Sequence, residues 1–299
     1  MKRLRQSALL LGFLAMTVVH SYGQDTVAPA AKTQTPSPAM NAKAGNVNSI
    51  EPAIESDDSF QVQQALDNAI ALFSDPKNAQ HAVEKIPAWL HDLISLRRFD
   101  EAEDFAVAVI NSRPADIRLI ETCQQARIRA KLLANKPQEA LPLAKSLYNV
   151  CFMGDTSKAI DLISECLYDI NANNDPAGAV RKFKLQQIHG AATTQPSTSD
   201  QNTLSQIKLD PKPYGPGLAH VELLDNSWEA AMGKGNLLLL AGEPTEAAKV
   251  FDKAYALASD SNLPAATEAV ARAMRAEDGT VGRANAWILS LRPAEQAAQ

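Results

Sequence analysis

Four groups of residues in this sequence are of types that do chemistry. Carboxylates crowd at Asp100, Glu101, Glu103 and Asp104, where any two could serve as general acid and general base. Beyond residue 23, histidines stand at His81, His91, His189 and His220, a glycine-lysine stretch runs Gly233-Lys234-Gly235-Asn236, and cysteines lie at Cys123, Cys151 and Cys166. None falls at a spacing that completes a reaction centre. A phosphate loop needs a glycine separated by four residues from its Gly-Lys pair and a hydroxyl after it; Trp228 and Gly235 occupy those places. No two histidines sit one helical turn apart, and neither HExxH nor CxxCH occurs, so no metal site is indicated. There is no GxSxG elbow. The carboxylates at 100–104 open an amphipathic segment, where negative charge stabilises a helix start through its dipole. The reading is therefore of no catalytic residue, no metal and no cofactor.

Most of these groups sit on expected helices. Phe60, Leu66, Ala69, Ile70 and Phe73 recur at helical spacing behind an Asp58-Ser59 cap signal. Pro87 is expected near a helix start, with Trp89, Leu90 and Leu93 on the buried side. Further helical patterns run over 99–111, over 117–133 through Ile117, Ile120, Cys123, Ala126, Ala130 and Leu133, over 137–150, over 159–170, and from Asp175-Pro176 onward. More follow at 217–241, 244–259, 263–275 and 280–291, with turns at Gly242-Glu243, Ser261-Asn262 and Asp278-Gly279. With 13 glycines in 299 residues and aromatics at 5%, the composition favours alanine-lined helix packing. The fold class is all-α.

Two stretches lack that rhythm. Residues 24–57, rich in Ala, Pro, Thr, Ser and Asn, read as a disordered tether. Residues 191–216 read as a linker or long loop, with a short apolar piece at Ile207 and Leu209. The chain then divides into a helical block at 58–190, a second at 217–293, and a tail at 294–299. Ahead of them, Lys2, Arg3 and Arg5 precede an uncharged apolar run at 8–19, then Ser21 and Gly23. This has the form of a secretory signal peptide, 1–23; a membrane-spanning helix would need ~20 apolar residues. The expected product is exported, periplasmic or secreted, without an integral membrane segment after cleavage. Losing three basic residues and no acidic one takes the formal charge from −5 to −8, which disfavours nucleic acid as a partner. The three cysteines are too few and too scattered for a disulfide framework. Each lies in an apolar helical pattern and reads as a small hydrophobe, with one oxidised pair as the alternative.

Internal repetition is the main signal. The segment from Ser227 to Ser259 carries Gly235 and Leu238, then Gly242, then Ala247, Phe251 and Ala254. That order of small and large residues resembles a tetratricopeptide repeat (TPR), a helix-turn-helix unit of 34 residues. Weaker copies begin at FDEA (Ala102), PQEA (Ala140) and TSKA (Ala159). Close helix approach requires small side chains, so Gly235 is expected opposite Ala247, with Phe251 filling the gap toward the next hairpin. The resemblance implies antiparallel hairpins stacked as a solenoid, in two blocks joined by a long loop. It also implies that first helices line a concave face that binds protein or peptide. Carried onto this unit, the groove candidates are Glu229, Met232, Asn236 and Leu239, of which Asn236 would hold a ligand backbone or carboxylate. The expected function is a non-enzymatic extracytoplasmic adaptor or scaffold. The alternatives are an envelope enzyme acting on cell-wall glycans and a structural subunit of an envelope assembly.

Overall fold

The computed structural model describes residues 47–75, 77–152, 154–192, 203–224, 226–279 and 282–291. The signal peptide, the tether up to residue 46, residues 193–202 and the tail from 292 lie outside them. The described residues are helical, with no strand among them. In chain order the helices are α1 (Ile50–Ile54), α2 (Ser59–Ala71), α3 (Ala79–Ser95), α4 (Phe99–Ser112), α5 (Ile117–Leu133), α6 (Pro137–Val150) and α7 (Ser157–Ile170). After them come α8 (Pro176–Ala192), α9 (Thr203–Gln206), α10 (Gly215–Glu222), α11 (Trp228–Ala241), α12 (Pro244–Leu257), α13 (Leu263–Asp278) and α14 (Gly282–Leu291). None of them is long and apolar enough to cross a membrane.

Three helix pairs turn by the same device. Arg97 (φ 59°), Asn135 (φ 58°) and Gly242 (φ 83°) take left-handed backbone at the ends of α3, α5 and α11. The next residue then donates its N–H back over the turn at 2.9 Å, from Arg98 to the Leu93 carbonyl, from Lys136 to Lys131 and from Glu243 to Leu238. This is the Schellman pattern, which satisfies carbonyls the helix end would leave bare. Each following helix has a glutamate in its first turn and an alanine one place later, Glu101-Ala102, Glu139-Ala140 and Glu246-Ala247. All three alanines are fully buried. Ala159 is buried as well, but α7 is entered through Thr156 in ordinary right-handed backbone, so the turn before it differs.

Gly235 allows α11 and α12 to approach. A Cβ there would come within 2.6 Å of the Phe251 ring, well inside van der Waals contact. Phe251 thus lies on Gly235 inside its own hairpin and also faces Arg272 of α13, 5.6 Å from its ring. Leu238 is half-buried, while Ala247, Phe251 and Ala254 are sealed from solvent.

Three expectations are corrected. The tether ends earlier than residue 57, because Val47, Ile50 and Ile54, spaced three and four apart, are buried in the main core. Residues 203–216 are built into the fold, with Leu204 and Tyr214 almost fully buried and a 3-10 turn at Lys212–Tyr214. Pro87 sits inside α3, not at its start. Burial of Ile86, Trp89, Leu90 and Leu93 around it offsets the roughly 3 kcal/mol that an interior proline costs.

The apolar clusters do not divide where the sequence breaks its rhythm. One cluster joins residues from Val47 to Ala126 with residues from Tyr214 to Ala273. The other gathers Ile128, the buried face of α6, Ile163 and Cys166 of α7, Phe183 of α8 and Leu204. The C-terminal helices therefore return onto the N-terminal ones. Glycines permit this docking: a Cβ on Gly217 would press on Asn111, and one on Gly233 on Pro114.

Candidate functional site

The four expected groove residues do not line an open face. Glu229 is exposed in the first turn of α11, whereas Met232, Asn236 and Leu239 are buried. The Asn236 amide donates to the Pro114 carbonyl at 2.9 Å and accepts from Arg272 at 3.1 Å. The physical reason is the run Leu237-Leu238-Leu239-Leu240, which makes α11 apolar on nearly every side; such a helix is covered on every side. Here the turn at Pro114 and helix α13 cover it.

Buried polar groups that the sequence reading did not single out meet at α6 instead, in two places. The first is a cleft of about 260 Å³, lined by Glu103 of α4, Arg127 and Lys131 of α5, Glu139, Pro142, Leu143 and Ser146 of α6, Leu240 of α11, and Leu209, Asp210, Pro213 and Tyr214. Arg127 is 2% exposed. It donates to the Glu103 carboxylate at 3.0 Å, to the Gln124 amide oxygen at 3.1 Å and to the Tyr214 hydroxyl at 2.7 Å. Lys131 bridges Glu103 at 2.5 Å and Glu139 at 3.0 Å. Burial pushes the Glu103 carboxyl up, but the Lys131 hydrogen bond and the Arg127 guanidinium outweigh it and hold it below the usual carboxylate range. Asp104, one residue on, is shifted the other way, upward, by burial and by neighbouring carboxylates, Glu103 first among them.

Donors and acceptors at the cleft can be followed one by one. Arginine only donates, so the oxygen of Gln124 must face Arg127 and its NH₂ the other way. That NH₂ donates to Tyr214 at 2.8 Å and to Ser146 at 3.2 Å, and Ser146 donates on to the Leu240 carbonyl at 3.2 Å. Tyr214 thus accepts two hydrogen bonds, using both lone pairs, and its own O–H has no acceptor among the described contacts. The Arg127 Nε–H is buried and without a partner as well.

The second place is the C-terminus of α6, where Arg272 and Arg275 of α13 reach the last carbonyls. Arg272 donates to Val150 at 2.8 Å; Arg275 donates to Tyr148 at 2.6 Å, to Asn149 at 3.2 Å and to Cys151. Both guanidiniums also lie over aromatic rings, Arg272 5.6 Å from Phe251 and Arg275 5.0 Å from Tyr148. Burial lowers the Arg272 guanidinium to about 10, so it stays charged at neutral pH. The negative end of the α6 dipole receives these charges.

The cysteines are inert in this setting. All three are buried free thiols, and burial raises Cys151 to about 11 and Cys166 to about 12, which suppresses the reactive thiolate. The sequence carried faint signals for the cleft: Tyr214 is an aromatic in a polar stretch, and Arg127 stands among the apolar residues of α5. No family model matches the chain, and no curated protein or solved structure matches it either.

Proposed function

We propose that this protein is an exported, non-enzymatic TPR-like adaptor that binds a segment of another protein or a peptide. The observation that carries the reading is the shared turn of the three hairpins α3–α4, α5–α6 and α11–α12, each followed by the same Glu-Ala start and a buried alanine. Such hairpins are units whose apolar faces are buried only by stacking, and stacked hairpins present extended binding surfaces. The basic, apolar and small-residue run at 1–23 supports export. The open surface for a partner lies at the α5–α6 side, because α11 is enclosed. Glu103 and Glu139 share the cleft, yet a hydrolase acting on glycans needs one carboxyl kept protonated near neutrality. Lys131 between them and the lowered Glu103 oppose that role.

The test is site-specific photo-cross-linking in intact cells. A cross-linker at Leu143 in the cleft should yield one discrete adduct, and one at Lys253 on the exposed side of α12 should not. Equal adduct patterns from both positions, or a chain that stays in the cytoplasm, would reject the adaptor reading.

A further inference from the structure

We infer that the cleft between α5, α6 and residues 209–214 is a binding site for a small zwitterion of amino-acid or dipeptide size. The carboxylate is received at Tyr214 and Arg127 and the ammonium at Asp210. This goes beyond the adaptor reading and does not depend on it.

Size sets the first limit. Ligand pockets commonly run from roughly 300 to 1,000 Å³, and about 260 Å³ suits an occupant at the small end. The unspent hydrogen-bonding capacity sets its chemistry. One buried donor at the cleft lacks an acceptor, the Tyr214 hydroxyl hydrogen, and leaving such a group unmet is costly. An occupant that supplies acceptor oxygens meets that need, and a carboxylate does so most strongly beside a guanidinium.

Charge sets the rest. Of the ionised groups lining the cleft, Arg127 and Lys131 are positive and Glu103, Glu139 and Asp210 are negative. A simple anion would enter against a net negative charge, while a simple cation would leave the Tyr214 hydroxyl hydrogen unmet. Asp210 is exposed at the rim, and its Oδ1 accepts from the Lys212 backbone at 3.0 Å. No lysine or arginine pairs with it among the described ion pairs. It can therefore receive an ammonium without breaking an existing bridge. A ligand with a carboxylate at one end and an ammonium at the other satisfies both ends. The apolar walls of Pro142, Leu143, Leu209 and Leu240 accept a small aliphatic side chain between them.

The test is calorimetric titration of the full chain with four probes: L-alanyl-L-alanine, propionate, butylammonium and the neutral N-acetyl-alanine methylamide. The dipeptide should saturate with a dissociation constant on the order of 1 mM or tighter, and the other three should bind at least tenfold more weakly. Tyr214→Phe removes one hydroxyl and should weaken the dipeptide roughly tenfold. Asp210→Asn, at the exposed rim and harmless to folding, should weaken it by a similar factor while leaving propionate unchanged. Flat titrations with the dipeptide overturn the inference, because the cleft then holds water only. So do equal affinities for dipeptide and propionate, or a dipeptide affinity untouched by both substitutions.

Discussion

Buried arginines stand beside helix α6 at two places, and the two are solved differently. At its C-terminus, Arg272 and Arg275 meet backbone carbonyls, neutral groups that never titrate. Along its side, Arg127 and Lys131 of α5 meet the Glu103 carboxylate of α4. The first contact joins helices 122 or more residues apart in the chain; the second joins neighbours 24 and 28 apart. The carbonyl-held charge is a fastener, sealed from solvent. The carboxylate-held charge sits at an open cleft. A guanidinium that ties distant segments is best given acceptors that cannot be protonated away, whereas one beside a binding cleft gains from partners that respond to what enters.

The largest expected effect breaks the fastener. Arg272→Met removes donors to the Val150 carbonyl and the Asn236 oxygen and leaves two buried acceptors unmet, at about 1–3 kcal/mol each. Urea unfolding should show a loss of about 3 kcal/mol. A loss below about 1 kcal/mol would mean that the carbonyls find other partners and that the arginine is incidental to docking α13 on α6.

A smaller effect, with a pH signature, is expected on the other side. Glu103→Gln keeps an acceptor for Arg127 but removes its charge, and should cost about 2 kcal/mol near neutrality. Because the folded Glu103 carboxyl is held below its ordinary value, its contribution is complete above that ordinary value, near 4.5. It is lost as the pH falls through the folded value. Thermal unfolding from pH 7 to pH 3 should therefore decline less steeply for Glu103→Gln than for the parent. Arg272→Met should retain the part of that decline that belongs to Glu103, since the carbonyl and amide oxygens that Arg272 holds do not titrate. Parallel curves for all three would remove the distinction between the two sites.

How far the sequence foretold this depends on the distance between partners. The hairpin α11–α12 was legible because its determinants are local: Gly235 and Phe251 lie in one unit, and Gly242 ends α11 as a left-handed cap. The turns at Arg97 and Asn135 carry no glycine, so their identity with Gly242 shows only in the backbone. The run of leucines in α11 was visible too, and weighed properly it predicts enclosure rather than a groove. Arg272 and Arg275 gave no signal, since two arginines three apart on α13 look like a solvated face until the end of α6 is brought against them. The same holds for Tyr214, whose partners Gln124 and Arg127 lie 90 and 87 residues away. Val47, Ile50 and Ile54 did have helical spacing, masked by the prolines and polar residues around them.

The smallest expected effect separates charge from scaffold inside the cleft. Lys131 is 15% exposed and lies between Glu103, which Arg127 also holds, and Glu139, which is half in solvent. Removing it as Lys131→Met leaves the Arg127–Glu103 bond intact and breaks a bridge whose outer half is screened by water. The loss at neutral pH should stay within about 1 kcal/mol. Its acid behaviour should change more than its stability, because the Lys131 hydrogen bond leads the influences that lower the Glu103 carboxyl. Without it the carboxyl moves back toward its ordinary value, so less stability is tied to its ionised form and the variant should lose less stability than the parent between pH 7 and pH 3. If the decline is unchanged, Arg127 alone fixes the charge of Glu103, and Lys131 is free to reorient toward whatever carboxylate the cleft receives.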